Sequence, residues 1–241
     1  MMINKTSSFL IAGAMALAAS AAVASDSAHE FSANIALTTD YLFRGISQTD
    51  GNPAVQGGFD YSYIPYGFYA GVWASNVDFS GCCGDDDNIE IDYYGGFAGE
   101  FTNGLGWDVG GIYYQYPGDD GDDDYVEAYA GLGYTFDAQL EPTVGVYAYY
   151  SPDFFGETGD AIYINPTLDL SLRMGFGLGF GYGYQDVDDS GDYSHFNVSL
   201  SRDIGMFSFG VTYDDKFSED DFCGGADVCD DTVTFTISSS F

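Results

Sequence analysis

The segment Ile162-Tyr163-Ile164-Asn165-Pro166-Thr167-Leu168-Asp169-Leu170-Ser171-Leu172-Arg173-Met174-Gly175-Phe176-Gly177-Leu178-Gly179-Phe180-Gly181-Tyr182-Gly183-Tyr184 decides the architecture of this chain. In its first half Ile162, Ile164, Leu168, Leu170 and Leu172 alternate with Asn165, Thr167, Asp169 and Ser171. In its second half Phe176, Phe180, Tyr182 and Tyr184 alternate with five glycines. A side-chain period of two places such sets on opposite faces of a strand. Arg173-Met174 leaves room only for a tight turn, so the segment reads as an antiparallel hairpin with one apolar face. Glycine weakens an ordinary strand, and a curved wall or an interior kept open gives so many of them a purpose. No helical pattern follows Gly175–Gly183, so this is not a phosphate-binding loop.

The same period extends in both directions. Phe31, Ala33, Ile35, Leu37, Tyr41 and Phe43 share one face of a first strand, with Ser32, Asn34, Thr38, Asp40 and Arg44 on the other. Val55, Phe59, Tyr61 and Tyr63 stand against Gln56, Asp60 and Ser62, and Ile89, Ile91, Tyr93 and Phe97 against Glu90, Asp92 and Glu100. Val126, Ala128, Ala130, Leu132, Tyr134 and Phe136 alternate with Glu127, Gly131, Gly133 and Thr135. With 68–77, 107–116, 140–150, 196–200, 207–213 and 233–241 the chain holds about twelve strands. Tight turns at 64–67, 102–105, 137–139, 173–174 and 203–205 alternate with longer, mostly acidic loops at 46–52, 78–88, 117–123, 151–158, 185–191 and 214–230. Short turns at one end and long loops at the other are the arrangement of an antiparallel transmembrane β-barrel, with the short turns periplasmic. A secreted soluble β-sandwich would need neither that rhythm nor outward faces so uniformly apolar. Alternation also explains why mean hydropathy is only −0.07.

The N-terminus reads as an export signal. Lys5 supplies the positive region, 9–19 an apolar core, and Ala22-Val23-Ala24 the small-x-small site, giving a signal peptide over 1–24 and a single barrel domain over 25–241. The chain carries 38 acidic and 5 basic residues, a formal charge of −33, which excludes nucleic acid as a partner because no basic patch can neutralise phosphates. Aromatic residues make up 18% of the chain, which separates it from acidic disordered sequences. Thr232 to Phe241 forms an alternating strand ending in an aromatic, like the C-terminal signal read by the barrel-assembly machinery of the bacterial outer membrane.

Thr38-Thr39-Asp40-Tyr41-Leu42-Phe43-Arg44-Gly45-Ile46-Ser47-Gln48-Thr49, Gly67-Phe68-Tyr69-Ala70-Gly71-Val72-Trp73-Ala74-Ser75-Asn76-Val77-Asp78 and Tyr113-Tyr114-Gln115-Tyr116-Pro117-Gly118 resemble recurring segments of a proteobacterial family. So do Pro53 to Tyr61 and Glu90 to Phe97. The family is the TorF-type or Gcw-type (gcw_chp) group of outer-membrane porin-like proteins, and the likeness is specific across 38–118. It implies a porin-type protein and brings no catalytic or binding residues with it.

If the apolar face meets lipid, Asp40, Asp60, Glu90, Asp92, Glu100, Asp108, Glu127 and Asp169 point inward, with Arg44 the one basic residue on that face. Rings of carboxylates concentrate cations and disfavour anions. The expected function is passive diffusion of small hydrophilic solutes with a cation bias, and the rival is a closed barrel whose acidic loops serve adhesion, stability or partner binding. Asp85 to Asp87, Asp119 to Asp124 and Asp186 to Asp189 supply oxygen ligands for weak Ca²⁺ or Mg²⁺ contact beside lipopolysaccharide. None fits an EF-hand or a calcium β-roll, so they read as solvated charge and no cofactor is expected. Cys82, Cys83, Cys223 and Cys229 fall in outer loops of an exported chain, which favours disulfides over metal. Cys223–Cys229 closing its own loop and a staple from Cys82 or Cys83 to the last loop are the alternatives. Enzyme chemistry is not expected: beyond the leader only His29 and His195 remain, and Ser194 points to the face opposite His195.

Overall fold

The computed structural model describes residues 28–80, 88–118, 123–188, 190–217 and 227–241. Strands β1 (His29–Thr38), β4 (Ala54–Tyr63), β5 (Phe68–Asn76), β6 (Ile89–Glu100), β7 (Gly106–Gln115) and β8 (Tyr125–Thr135) make the first half of a sheet. Strands β9 (Thr143–Ser151), β10 (Ala161–Ser171), β11 (Phe176–Val187), β12 (Gly191–Ile204), β13 (Phe207–Phe217) and β14 (Thr232–Ser240) make the second. All neighbours are antiparallel, and β1 pairs with β14, so twelve strands close a barrel. A short hairpin, β2 (Leu42–Phe43) and β3 (Ile46–Ser47), is separate from the wall. The twelve-stranded antiparallel barrel expected from the side-chain period is the fold observed.

Closure satisfies every edge, which a membrane demands because lipid offers no hydrogen bonds. The seam runs from Asn34 opposite Ser240 to Thr38 opposite Thr236. Phe241 extends it by exchanging backbone hydrogen bonds of 2.9 and 3.1 Å with Ala33, while its ring is exposed. Pro166 has no N–H to give its neighbours, and the paired residues of β10 and β11 skip 165 and 166. The Asn165 side-chain amide donates instead to the Tyr182 carbonyl at 2.8 Å.

The outer face is apolar, as the alternation requires. Phe31, Ile35, Leu37, Phe59, Val109, Leu132, Ile162, Leu200, Phe235 and Ile237 are all exposed. An apolar surface of that extent is stable only against lipid. Aromatic rows border it. At the turn end Tyr61, Phe68 and Phe97 pack edge to face. At the loop end Tyr150 donates to Asp160 at 3.2 Å, Tyr213 to Asp215 at 3.3 Å, and Tyr113 to Asp124. Such rings, apolar in body and polar at the tip, suit the lipid–water boundary.

Three expectations need correction. The first strand does not run to Arg44. It ends at Thr38, and Tyr41 and Phe43 are buried inside the barrel, where an unbroken period had placed them on the lipid face. Arg44 and Gly45 both adopt positive φ, 52° and 81°, which makes a tight reversal that alternation alone cannot reveal. The 185–191 loop is also far shorter than expected, because β11 continues to Val187 and β12 starts at Gly191. Finally, β9 starts at Thr143 rather than at 140, since Leu140 and Glu141 have φ of 77° and 42°, outside strand geometry.

Candidate functional site

The lumen is furnished very differently on its two sides. From β5 to β9 its lining includes Tyr69, Tyr94, Tyr114, Tyr129, Tyr147 and Tyr149, with carboxylates between them. Tyr69 donates to Asp108 at 2.7 Å and Tyr147 to the other Asp108 oxygen at 3.1 Å. Tyr94 donates to Asp60, and Tyr69 and Tyr129 share a hydroxyl–hydroxyl hydrogen bond. Four of these rings lie over an inward glycine of an adjacent strand. Tyr94 covers Gly71, Tyr69 covers Gly96, Tyr129 covers Gly110 and Tyr147 covers Gly131, and a Cβ at any of these would collide with the ring. On this side the glycines therefore serve to seat large rings.

In the turn-end half of β11 to β14 the inward residues are small: Gly177, Gly179, Gly181, Asn197, Ser199, Ser201, Ser208, Gly210, Thr212, Thr234, Thr236 and Ser238. A Cβ at Gly210 would meet nothing within 4 Å. Asp169 of β10 lies at the boundary of the two sides, half-buried and beside Gly179.

The hairpin crosses this interior near the loop end. Its base is tied by Asp40, which accepts from the Ser47 hydroxyl at 2.6 Å and the Thr49 hydroxyl at 2.9 Å. Asp40 is thus a buried structural acceptor and not a strand residue lining a passage, as the sequence had suggested. At the tip Arg44 is 5% exposed. It donates to Glu127 at 2.6 Å and to the Gln185 side-chain carbonyl at 2.7 Å. Its guanidinium lies 4.2 Å from the centre of Tyr163, 4.6 Å from Phe43, 5.1 Å from Tyr149 and 5.9 Å from Phe154. Tyr41 donates to Glu90 at 3.3 Å, and Tyr114 to Glu127 at 3.1 Å. Glu90 and Asp92, two residues apart on β6, are each 1% exposed.

Asp60, Glu90, Asp92, Asp108, Glu127 and Asp169 stand on the face of the wall opposite the exposed apolar residues. Glu100 shares their parity but sits at the turn end of β6, opposite Gly106, and is exposed. Inward residues also lie in segments that the sequence pattern reads as loops, Asp214, Lys216 and Gln185 among them. Lys216, opposite His195 on the neighbouring strand, faces inward with its ammonium 5.3 Å from the Tyr193 ring, and continuing the β13 alternation past Tyr213 is the signal that finds it. Gln185, which falls in the expected 185–191 loop, is an Arg44 partner on β11. His195 lies on the inner face, as its parity implies, sharing a 2.8 Å hydrogen bond with Tyr163, its Nδ1 4.0 Å from Asp214. Among the described residues no three His, Cys, Asp or Glu side chains converge as a metal site. Cys229 ends a single 3-10 turn, Asp227–Cys229. Cys82, Cys83, Cys223, Asp85 to Asp87 and Asp119 to Asp122 lie outside the described residues.

A family model described as "Bacterial protein of unknown function (Gcw_chp)" matches residues 22–241. No curated protein matches. Among solved structures the chain is similar to the KdgM porin, with TM-score 0.56 and 8% identity over 87% of this chain and 98% of that one. The NanC porin gives 0.56 and 10%, over 88% and 99%. An outer membrane channel from Pseudomonas putida F1 gives 0.52 and 8%, over 87% and 94%. At such identities the likeness is one of fold. A closed porin-like barrel with an apolar outer band is a protein of the bacterial outer membrane.

Proposed function

The chain belongs to the Gcw_chp family, and from that premise and the lining of its lumen we propose a porin-like channel that passes small hydrophilic solutes and prefers cations. The observation that carries this reading is the imbalance of inward charge. Asp60, Asp108 and Asp169 are only half-buried on the inner face, so water in the lumen reaches them. Among the described residues the inward basic side chains on the other side of the balance are Arg44 and Lys216, and Arg44 is already paired with Glu127. Low-dielectric walls concentrate the field of such carboxylates and raise the local cation concentration. The small-residue side from β11 to β14 supplies the route, and the hairpin narrows it.

Reconstitution in a planar bilayer under a KCl gradient tests this directly. A reversal potential of the sign for cation selectivity is expected, and Asp108→Asn with Asp169→Asn should move it toward zero. An anion-selective potential would overturn the preference. Absence of conductance, also after Arg44→Ala, would overturn the channel itself.

The burial of Arg44, Glu127, Glu90 and Asp92 favours a second reading, in which the hairpin holds the barrel shut and its outer face is what acts. Under that reading the wild-type barrel stays silent in the bilayer while Arg44→Ala conducts. Folding into outer membranes by the barrel-assembly machinery through Phe241, and contact of the acidic loops with lipopolysaccharide, belong to the same proposal.

A further inference from the structure

Above the hairpin the barrel mouth holds a cavity of about 290 Å³ whose lining includes Phe43, Phe79, Tyr116, Tyr125, Phe154 and Phe155. These rings are fixed by one another. Phe79, Tyr116 and Phe155 meet pairwise at 5.3–5.6 Å, and Tyr125 packs on Phe154 at 4.8 Å. They come from three different connections, the start of β8 and the hairpin, so the cavity exists only in the folded barrel. Ser47, Gln48, Thr158 and Ser190 add a few polar groups at its edge.

We propose that this cavity binds small organic cations carrying an apolar ring or alkyl groups, of the quaternary ammonium class. Two observations point to that chemistry rather than to a neutral apolar ligand. First, the protein already rests its own cations on rings of this cavity. Arg44 lies against Phe43 and Phe154, and Lys216 against Tyr193, which also lines the cavity. The faces of aromatic rings attract cations, most strongly where water is excluded. Second, the surroundings are acidic. Asp123, Asp124, Asp153, Asp160 and Asp188 stand on the connections around the mouth, in a chain of net charge −33. Arg44 does not offset this field, because Glu127 holds it at 2.6 Å. A soluble inorganic cation would be drawn by the charge alone, whereas an organic cation also gains from burying apolar surface against the rings.

The site deepens the cation-preferring channel proposed above by naming an occupant of its outer mouth, but it can be tested without conductance. Full-length barrel purified in detergent, its fold checked by heat-dependent mobility, is titrated calorimetrically with benzyltrimethylammonium. The control is 2,2-dimethyl-3-phenylpropan-1-ol, uncharged and of similar shape. Saturable binding of the cation, about tenfold tighter than the alcohol, is expected. Phe155→Leu keeps the apolar bulk and loses the ring, so it should weaken the cation by about fivefold while barely changing the alcohol. Equal binding of the two, or an unchanged cation affinity in both Phe155→Leu and Phe79→Leu, overturns the proposal. Cation binding without conductance would keep the site and remove the channel. Conductance without binding would do the reverse.

Discussion

The two sides of this lumen share one alternation and use it for opposite ends. From β5 to β9 the inward positions pair tyrosine with glycine across neighbouring strands, and the rings lie flat over the gaps that glycine leaves. In the turn-end half of β11 to β14 the inward positions are glycine, serine, threonine and asparagine, and a Cβ at Gly210 would meet nothing within 4 Å. The difference shows that glycine in a barrel strand has no single meaning. What matters is whether the next strand carries a ring long enough to occupy the vacancy. One side is filled by hydrogen-bonded rings, and the other is lined at its turn end by small side chains.

The hairpin is where the two sides meet, so removing its anchor should have the largest effect. Arg44 bridges Glu127 of the filled side and Gln185 of the open side. Arg44→Ala leaves Glu127 buried without its cation, at a cost of about 3–5 kcal/mol. Unfolding in urea should register the loss, and single-channel conductance should rise as the hairpin leaves the lumen. Arg44→Met with Glu127→Gln removes both charges and should recover most of the stability without restoring the hydrogen bonds. If the single and double variants are equally unstable, the bridge is not what joins the sides.

The filled side should next show its dependence on the seats beneath its rings. A methyl at Gly131 would fall inside the space of the Tyr147 ring, which in turn donates to Asp108. Gly131→Ala should cost about 1–3 kcal/mol through overpacking and displaced hydrogen bonds. Tyr147→Phe keeps the ring and loses one donor to Asp108, and about 1 kcal/mol is expected. Both are read from urea unfolding of barrel folded into vesicles. A Gly131→Ala barrel as stable as the wild type would mean that the ring moves freely, and the two sides would then differ in composition alone.

How much of this was open to reading depends on the range of the physics involved. Strand period, facing and the approximate count are local properties, and Ile162 to Tyr184 displays them without any knowledge of the rest. The inward placing of Asp60, Asp108, Glu127 and Asp169 follows from parity and needs nothing more. Parity fails where the chain leaves the wall. Tyr41 and Phe43 keep the parity of the first strand's apolar face, with only Thr39 interrupting it, yet they turn inward in a hairpin where Arg44 takes a positive φ and its charge finds Glu127, 83 positions away. No neighbouring residue announces that partner. The aromatic cavity is hidden for the same reason, since Phe79, Tyr116 and Phe155 belong to separate connections that only closure of the barrel brings together.

The smallest effect should come from the open side, and it is the sharpest test of the contrast. Gly210 lies mid-strand on β13 without a positive φ, and a Cβ there has no neighbour within 4 Å. Gly210→Ala should therefore change stability by no more than about 0.5 kcal/mol, against the cost at Gly131 on the other side. Replacing a strand glycine also removes conformational freedom from the unfolded chain, which offsets any small cost in the folded one. Enlarging the same residue separates stability from passage. Gly210→Phe should leave unfolding nearly unchanged, because the ring projects into water, yet lower single-channel conductance by narrowing the route. A barrel in which Gly210→Phe unfolds early but conducts normally would place the passage elsewhere, and the small-residue wall would then need another purpose.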